Sequence, residues 1–419
     1  MRILHVNKFL YRRGGAESYM LDLAELQALR GDQVAFFGMA HPENIPTGYD
    51  RHFPKFIDMN PMPRGPISQA RGVGRMMWST SARRGMTRLI QEFQPDVAHL
   101  HNIYHQLSPS VVAALRDAGV PMVMTLHDYK LACPSYSFLD HGQICTACVD
   151  GGLGEPIRRR CKDNSLAASL ALATETWLHR RFGAYDPVSV FISPSKFLAK
   201  QLTRAGIYPD RLQVLDNFGD PASTAAKTEP GGPLVYAGRL HQGKGVDTAI
   251  RAVGLLGAQG RLIIAGDGPE RAALEALAEQ VAPGRITFVG RLPRAEVLDL
   301  MRSATALVLP SRWYENQPMT ILEAFSCGVP VIGTSMGGIP ELVTDGATGR
   351  LITADVPMEL ASAALALLRD PMNAMAMGQA ARSLAIQRFV PEGHTNRLRE
   401  FYAEATRQTR KSRESRKAS

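Results

Sequence analysis

No Asp-x-Asp triplet occurs anywhere in the 419 residues, so the carboxylate pair that commonly holds Mg²⁺ on a nucleotide phosphate is missing. No run of about 18 apolar residues occurs either, and no transmembrane helix is expected. The start, "MRILHVN", has the short apolar run of a first strand and no A-x-A cleavage site, unlike a signal peptide. A cytoplasmic protein is therefore expected. Cysteine is scarce, five in all, and in that compartment stable disulfides are disfavoured. Zinc-finger, RRM and other nucleic-acid signatures are absent, so nucleic acid is not the expected partner.

What is present describes a globular chain long enough for two domains, with 45% apolar and 21% charged residues. A formal charge of +9 calls for an anionic ligand or surface. Part of that excess sits in residues 407–419, "RQTRKSRESRKAS", which are poor in apolar residues and expected to be disordered.

Short strand-like runs alternate with helical stretches twice over, the pattern of α/β domains with parallel sheets. The first series holds "RILHVN", "QVAFF", "DVAHLHN", "PMVMTLH", "SVFISPS" and "LQVLDN". A Gly/Pro/Ala/Thr-rich stretch, residues 219–232, reads as a linker. The second series holds "PLVYAG", "RLIIAG", "ITFVG", "ALVLP", "PVIGT" and "GRLIT". Two Rossmann-like domains, residues 1–218 and 233–390, follow from this pattern, with ligands expected beyond the carboxyl ends of the strands.

The polar clusters come directly after those strands. Gly14-Gly15 follows the first strand and opens a helix, as a phosphate-approach turn or a plain tight turn would. "YAGRLHQGKG" supplies Arg239 and Lys244, a fork and a point charge suited to a diphosphate, though a solvated basic loop would look the same. "IIAGDGPE" gives Gly266 and Gly268 for a tight turn. In "PSRWYENQPMTILEAFSCG", Pro318 fits a first helical turn whose free N–H groups, those of Met319 and Thr320, suit a phosphate. Glu315 and Glu323 flank that anion site. Carboxylates accept hydrogen bonds from hydroxyls, so Glu323 is expected on a ribose and Glu315 on a sugar. The order neutral, charged, neutral is that of a nucleoside diphosphate sugar. The alternative is a pair of solvated acids favoured by the helix dipole.

With these residues in view, the sequence resembles the retaining GT-B glycosyltransferases of family four. The matching segments are "GGAE" (14–17), "HD" (127–128), "GRLHQGKG" (238–245), "AGDGP" (265–269), "VGRLP" (289–293), the E-x7-E pair (315–323) and "CGVPVIGTSMGGIPELVTDGATG" (327–349), in order along residues 2–405. The resemblance implies a GT-B fold, two Rossmann-like domains facing across a cleft, with a helix near 391–406 crossing back to the first. It implies His127 and Glu315 as catalytic residues, and Arg291, Leu292 and Asn316 as further donor contacts. It implies a UDP- or GDP-linked hexose donor, a hydroxyl acceptor that is a lipid-linked glycan in some relatives, retention by front-face displacement, and no catalytic metal. Many members carry Gly-Phe-Gly where this chain has Asn316-Gln317-Pro318, and Pro318 has no N–H to donate. "SRWYENQP" resembles a subgroup that assembles surface polysaccharide. A nucleotide-sugar epimerase or hydrolase, or a non-catalytic basic binding protein, are the competing readings.

Two features stand apart from the cleft motifs. Cys133, Cys145, Cys148 and Cys161 lie in an irregular Gly/Pro/Asp-rich insertion, at spacings that suit a structural Cys₄ zinc site, disulfides or free thiols. Arg64, Arg71, Arg75, Arg83, Arg84 and Arg88 interleave with Met76, Met77 and Trp78. That pattern suits either an anionic membrane surface or an amphipathic helix whose apolar face is core.

Overall fold

Fourteen short strands form in a computed structural model that describes residues 1–58 and 65–418. In chain order they are β1 (Arg2–Val6), β2 (Gln33–Phe37), β3 (Val97–Leu100), β4 (Met122–Thr125), β5 (Leu139–Asp140), β6 (Gln143–Ile144) and β7 (Val190–Ser193). Then follow β8 (Leu212–Val214), β9 (Leu234–Ala237), β10 (Leu262–Ala265), β11 (Ile286–Gly290), β12 (Ala306–Leu309), β13 (Val331–Thr334) and β14 (Gly349–Ile352). They build two six-stranded sheets, ordered β2-β1-β3-β4-β7-β8 and β11-β10-β9-β12-β13-β14, and a two-stranded hairpin, β5-β6. Every pairing in the two large sheets is parallel. Runs such as "VAHL", "MVMT", "LVYA" and "ALVL" are buried throughout, because helices cover both faces of each sheet.

The strand order decides where a ligand can sit. In the first sheet the winding direction reverses between β1 and β3, and in the second between β9 and β12. Each reversal opens a crevice at the carboxyl ends of the strands. The polar segments 7–17, 238–245 and 310–318 follow β1, β9 and β12, three of the four strands that bound these crevices.

Residues 219–232 run along the second domain, with Gly219 N bonded to Phe389 O at 2.9 Å and Lys227 N to Cys327 O at 2.7 Å. The final helix, Pro391–Ala418, seats Leu398, Phe401, Tyr402 and Ala405 against Ile3, Val97, Val123 and Val190 of the first sheet. Its length corrects the expectation of a disordered tail: the helix continues to Ala418. Arg and Lys are good helix formers, Arg410 pairs with Glu414 at 3.1 Å, and Arg413 donates to the Ala118 carbonyl at 2.6 Å.

The domains are fastened at several points. Glu341 of the second domain accepts from the N–H groups of Lys196 and Phe197, capping the first-domain helix Lys196–Arg204. Arg388 pairs with Asp216 at 2.8 Å.

Candidate active site between the two domains

The loops at the second crevice lie backbone against backbone. Gly266 adopts φ +143°, and a Cβ there would stand 1.8 Å from the Gly238 carbonyl oxygen. Gly338 donates its N–H to the Glu315 carbonyl at 2.7 Å, and a Cβ there would stand 1.9 Å from the Asn316 oxygen. Only glycine permits these approaches. The backbone of Glu315 is pinned as a result.

Its side chain is pinned as well. Glu315 Oε1 accepts from Lys244 Nζ at 2.8 Å, Ser311 Oγ at 2.6 Å and Trp313 Nε1 at 2.7 Å. Burial alone would raise its pKa. The Lys244 charge and the three donors outweigh burial and hold the carboxyl below its usual value. Lys244 also lies 5.2 Å from the Trp313 ring centroid. Lys244 was expected on a diphosphate; here its ammonium is on Glu315.

Glu323 is tuned the other way. Burial pushes its pKa up to about 7, against the pull of Arg294 and with the help of Asp22. Arg294 Nε lies 3.6 Å from Glu323, and Nη1 of the same guanidinium lies 3.0 Å from Asp22 of the first domain. Arg12 also pairs with Asp22. The two glutamates therefore have different protonation behaviour near neutral pH.

The helix between them spans Met319–Ser326, and Pro318 is its cap in extended geometry rather than part of its first turn. Ile321 N bonds Pro318 O at 3.1 Å, while Met319 and Thr320 have no backbone acceptor for their N–H groups among the described residues. Met319 meets Gly15 across the cleft: a Cβ on Gly15 would lie 3.4 Å from Met319 Cγ. Gly15 opens the helix Gly15–Leu29, which Gly14 caps with no side-chain hydrogen bond. Two helix N-termini thus converge, and their partial positive charges add.

His127 follows β4 in the first domain. Its Nε2 is 3.0 Å from His101 Nδ1, and burial lowers its pKa to about 3. Two bonds tie its neighbours to those of Glu315: Asn316 Nδ2 donates to the Leu126 carbonyl at 2.9 Å, and Tyr129 Oη to the Tyr314 carbonyl at 3.2 Å. Asn316 Oδ1 also accepts from Ser195 at 2.7 Å. Gln317 takes the Asn217 N–H and donates to Asp216 at 2.7 Å. The Asn-Gln pair therefore spends its side chains on the first domain.

Arg239 is exposed; its carbonyl accepts from Tyr236 Oη at 2.8 Å, and its guanidinium has no ion pair or hydrogen bond among the described residues. Arg291 is exposed and Leu292 packs at the edge of the second-domain core. Sequence reasoning missed Ser311 and Trp313 as partners of Glu315. Their signal was present: in an extended segment residues 311, 313 and 315 share one face.

The four clustered cysteines are free thiols. Cys133 Sγ lies 3.2 Å from Ser135 Oγ; the neighbouring Cys148 lowers the Cys133 pKa, while Cys133 and burial raise that of Cys148. Burial and the nearby Cys133 push Cys161 up to about 11. Among the described residues only His5, His99 and His101 bring three ligand atoms within 4.8 Å of one another. In the arginine-rich stretch, Met86, Leu89 and Ile90 are first-domain core, while Arg71, Arg84, Arg88 and Trp78 face outward. Arg64 lies outside the described residues.

The chain is similar to known proteins along most of its length. It is 30% identical over 300 residues to a glycogen synthase of Mycobacterium tuberculosis, a match covering 70% of this chain and 64% of that protein. It is 27% identical to a D-inositol 3-phosphate glycosyltransferase of Xylanimonas cellulosilytica, over 94% of this chain and 92% of that one. Among solved structures, a sucrose-phosphate synthase from Thermosynechococcus elongatus matches all of both chains at TM-score 0.70 and 20% identity. Anabaena Alr3699/HepE, solved with UDP-glucose, matches 99% of this chain and all of its own at TM-score 0.64 and 21% identity. At such identity these two speak for the fold, which is GT-B. The model of Glycosyltransferase Family 4 matches residues 13–223 and that of Glycosyl transferases group 1 matches residues 232–370; the chain belongs to this glycosyltransferase family.

Proposed function

We propose that the protein transfers a hexose from a nucleoside diphosphate sugar to a hydroxyl acceptor, with retention of anomeric configuration and without a catalytic metal. The observation that carries this reading is the pair of oppositely tuned glutamates around two converging helix N-termini. The diphosphate lies on the N–H groups of Met319 and Thr320, with Arg239 alongside and Lys244 drawn from Glu315. Glu315 orients the sugar, Glu323 holds the ribose, and backbone groups near Arg291 and Leu292 contact the base. His127 touches the sugar from the first domain. The acceptor oxygen bonds to the anomeric carbon as the bond to the phosphate oxygen breaks on the same face. The acceptor's proton passes to the leaving phosphate, so positioning and fixed charge supply the catalysis.

Uridine is the favoured base, since the Anabaena relative was solved with UDP-glucose; guanosine is the other candidate. The test is nucleoside diphosphate release from UDP- and GDP-hexoses in the presence of EDTA. Release by wild type and its loss in Glu315→Gln is expected, and release that needs an added divalent cation would contradict the metal-free mechanism.

Surface polysaccharide or glycolipid assembly at the cytoplasmic face of a membrane is the proposed setting. Outward Arg71, Arg84 and Arg88, with exposed Trp78 under Arg83, suit an anionic headgroup layer. Failure to bind anionic liposomes at low salt would remove that part. For Cys133, Cys145, Cys148 and Cys161, structural zinc stays a proposal that rests on their spacing in the sequence, since their sulfurs do not form a three-ligand cluster here, and metal content of the purified protein tests it.

A further inference from the structure

Beneath His127 runs a buried hydrogen-bonded chain for which the chemistry above has no use. His5, His99 and His101 are completely buried. Their ring nitrogens are close enough to hold a metal, but each already has a partner in the chain.

The direction of the bonds that reach His127 follows from the Gln27 amide. Its Nε2 donates to Tyr402 Oη at 3.0 Å, and its Oε1, which only accepts, takes the His5 Nε2 proton at 2.7 Å. Tyr402 Oη lies 2.9 Å from His99 Nδ1, and His99 Nε2 lies 2.7 Å from Thr125 Oγ1. On the same crossing helix as Tyr402, His394 Nδ1 donates to the Asp216 carbonyl at 2.8 Å, so His394 Nε2 accepts from Tyr19 Oη at 2.9 Å. His5 Nδ1 accepts from His101 Nε2 at 3.0 Å, and His101 Nδ1 accepts from His127 Nε2 at 3.0 Å. Burial lowers the pKa of all these imidazoles, to about 4 for His5 and His394, so each is neutral with one donor and one acceptor. No link from Gln27 to His127 can reverse by itself.

We propose that this one-way chain fixes His127 as its Nε2–H tautomer and presents a bare Nδ1 lone pair to the cleft. Nδ1 has no partner among the described residues and is not among the buried unpaired atoms. It accepts a hydrogen bond, and therefore selects a hydroxyl of the ligand over a carboxylate or phosphate oxygen. That consequence rests on the proposed function, whereas the tautomer does not. Gln27, His5 and His101 are positioning residues. The crossing helix Pro391–Ala418 contributes Tyr402, which accepts from Gln27 Nε2 and so holds the amide that sets the proton order at the site.

The test is two-bond ¹H–¹⁵N correlation on the full-length protein labelled in histidine, with His127 assigned by loss of its signals in His127→Gln. At neutral pH the wild type should carry its His127 proton on Nε2. Gln27→Leu, which removes the acceptor for His5, should give a mixture of tautomers, and Gln27→Glu, which keeps an acceptor oxygen, should restore the single form. Sugar transfer should follow: kcat down about tenfold in Gln27→Leu with nucleotide binding unchanged, and recovered in Gln27→Glu. A proton on Nδ1 in the wild type, an unchanged tautomer in Gln27→Leu, or stoichiometric metal on these histidines would overturn the inference. If the tautomer is as expected and no nucleotide binds, the proposed function fails while the proton order stands.

Discussion

On the second-domain side of the cleft, Glu315 meets Lys244 and Trp313, Glu323 meets Arg294, and the Arg239 guanidinium has no ion pair among the described residues. On the first-domain side, His127 rests on His101 and His5, neutral rings joined by directed hydrogen bonds. Charges in a partly open crevice can exchange partners when an anionic ligand arrives, because solvent and ligand compensate each other. Neutral groups sealed in a core have no such freedom: losing one partner leaves an unpaired polar atom. One side is thus suited to taking up a charged ligand and the other to holding one side chain in one state.

The first domain contains a charged exception, and removing it should have the largest effect. Lys130 Nζ lies 2.7 Å from Glu175, which also meets His105 at 3.2 Å, all beneath the surface. Burial opposes the Glu175 charge, and Lys130 restores it. Lys130→Met should cost about 3–5 kcal/mol in denaturant unfolding, since the carboxylate is left buried without its cation, with His105 beside it. A loss under about 1 kcal/mol would mean the pair is not sealed.

Glu315→Gln sharpens the contrast from the other side. It frees Lys244 without altering a core, so folding should hold while turnover falls about a hundredfold or more. Steady-state kinetics with nucleotide affinity measured in parallel would show the split.

Glu323 supplies the pH dependence. Its pKa is raised from 4.5 to about 7, so the native state binds its proton more tightly than the unfolded chain does. The stability this group contributes is complete below about 4.5 and lost as pH rises through about 7. Ribose hydroxyls donate to the ionised form, so nucleotide affinity should rise with pH and level off above about 7. Below that, each unit should cost up to about tenfold. Isothermal titration across this range should find Glu323→Gln flat.

The smallest effect belongs to the terminal helix surface. Arg410 and Glu414 are 82% and 64% exposed, and Arg410→Ala should change unfolding free energy by no more than about 0.5 kcal/mol. A larger change would show that the last turns hold the first domain in place.

Much of this was legible in the sequence, and what was not has a common cause. The two parallel sheets followed from alternating runs, and the cleft residues from their positions directly after strands. Glu315 and Glu323 were visible as a spaced pair. Their opposite tuning was not, because it depends on Lys244, 71 residues away, and on Asp22 and Arg294 from different domains. His5, His99 and His101 read as residues inside strands or at strand ends; only the sheet order brings β1 beside β3 and stacks their rings. The terminal tail looked disordered by composition, yet a helix already anchored by Phe401 and Tyr402 extends at little cost.

The central claim is best tested by thermal unfolding of wild type and Glu323→Gln with UDP, GDP, ADP and CMP. A nucleoside diphosphate at about a hundred times its dissociation constant should stabilise the wild type by about 2.7 kcal/mol, with most of that gain lost in the mutant. Stabilisation by no nucleotide at millimolar concentration, or an equal response in the mutant, would contradict a nucleotide-sugar site at these residues.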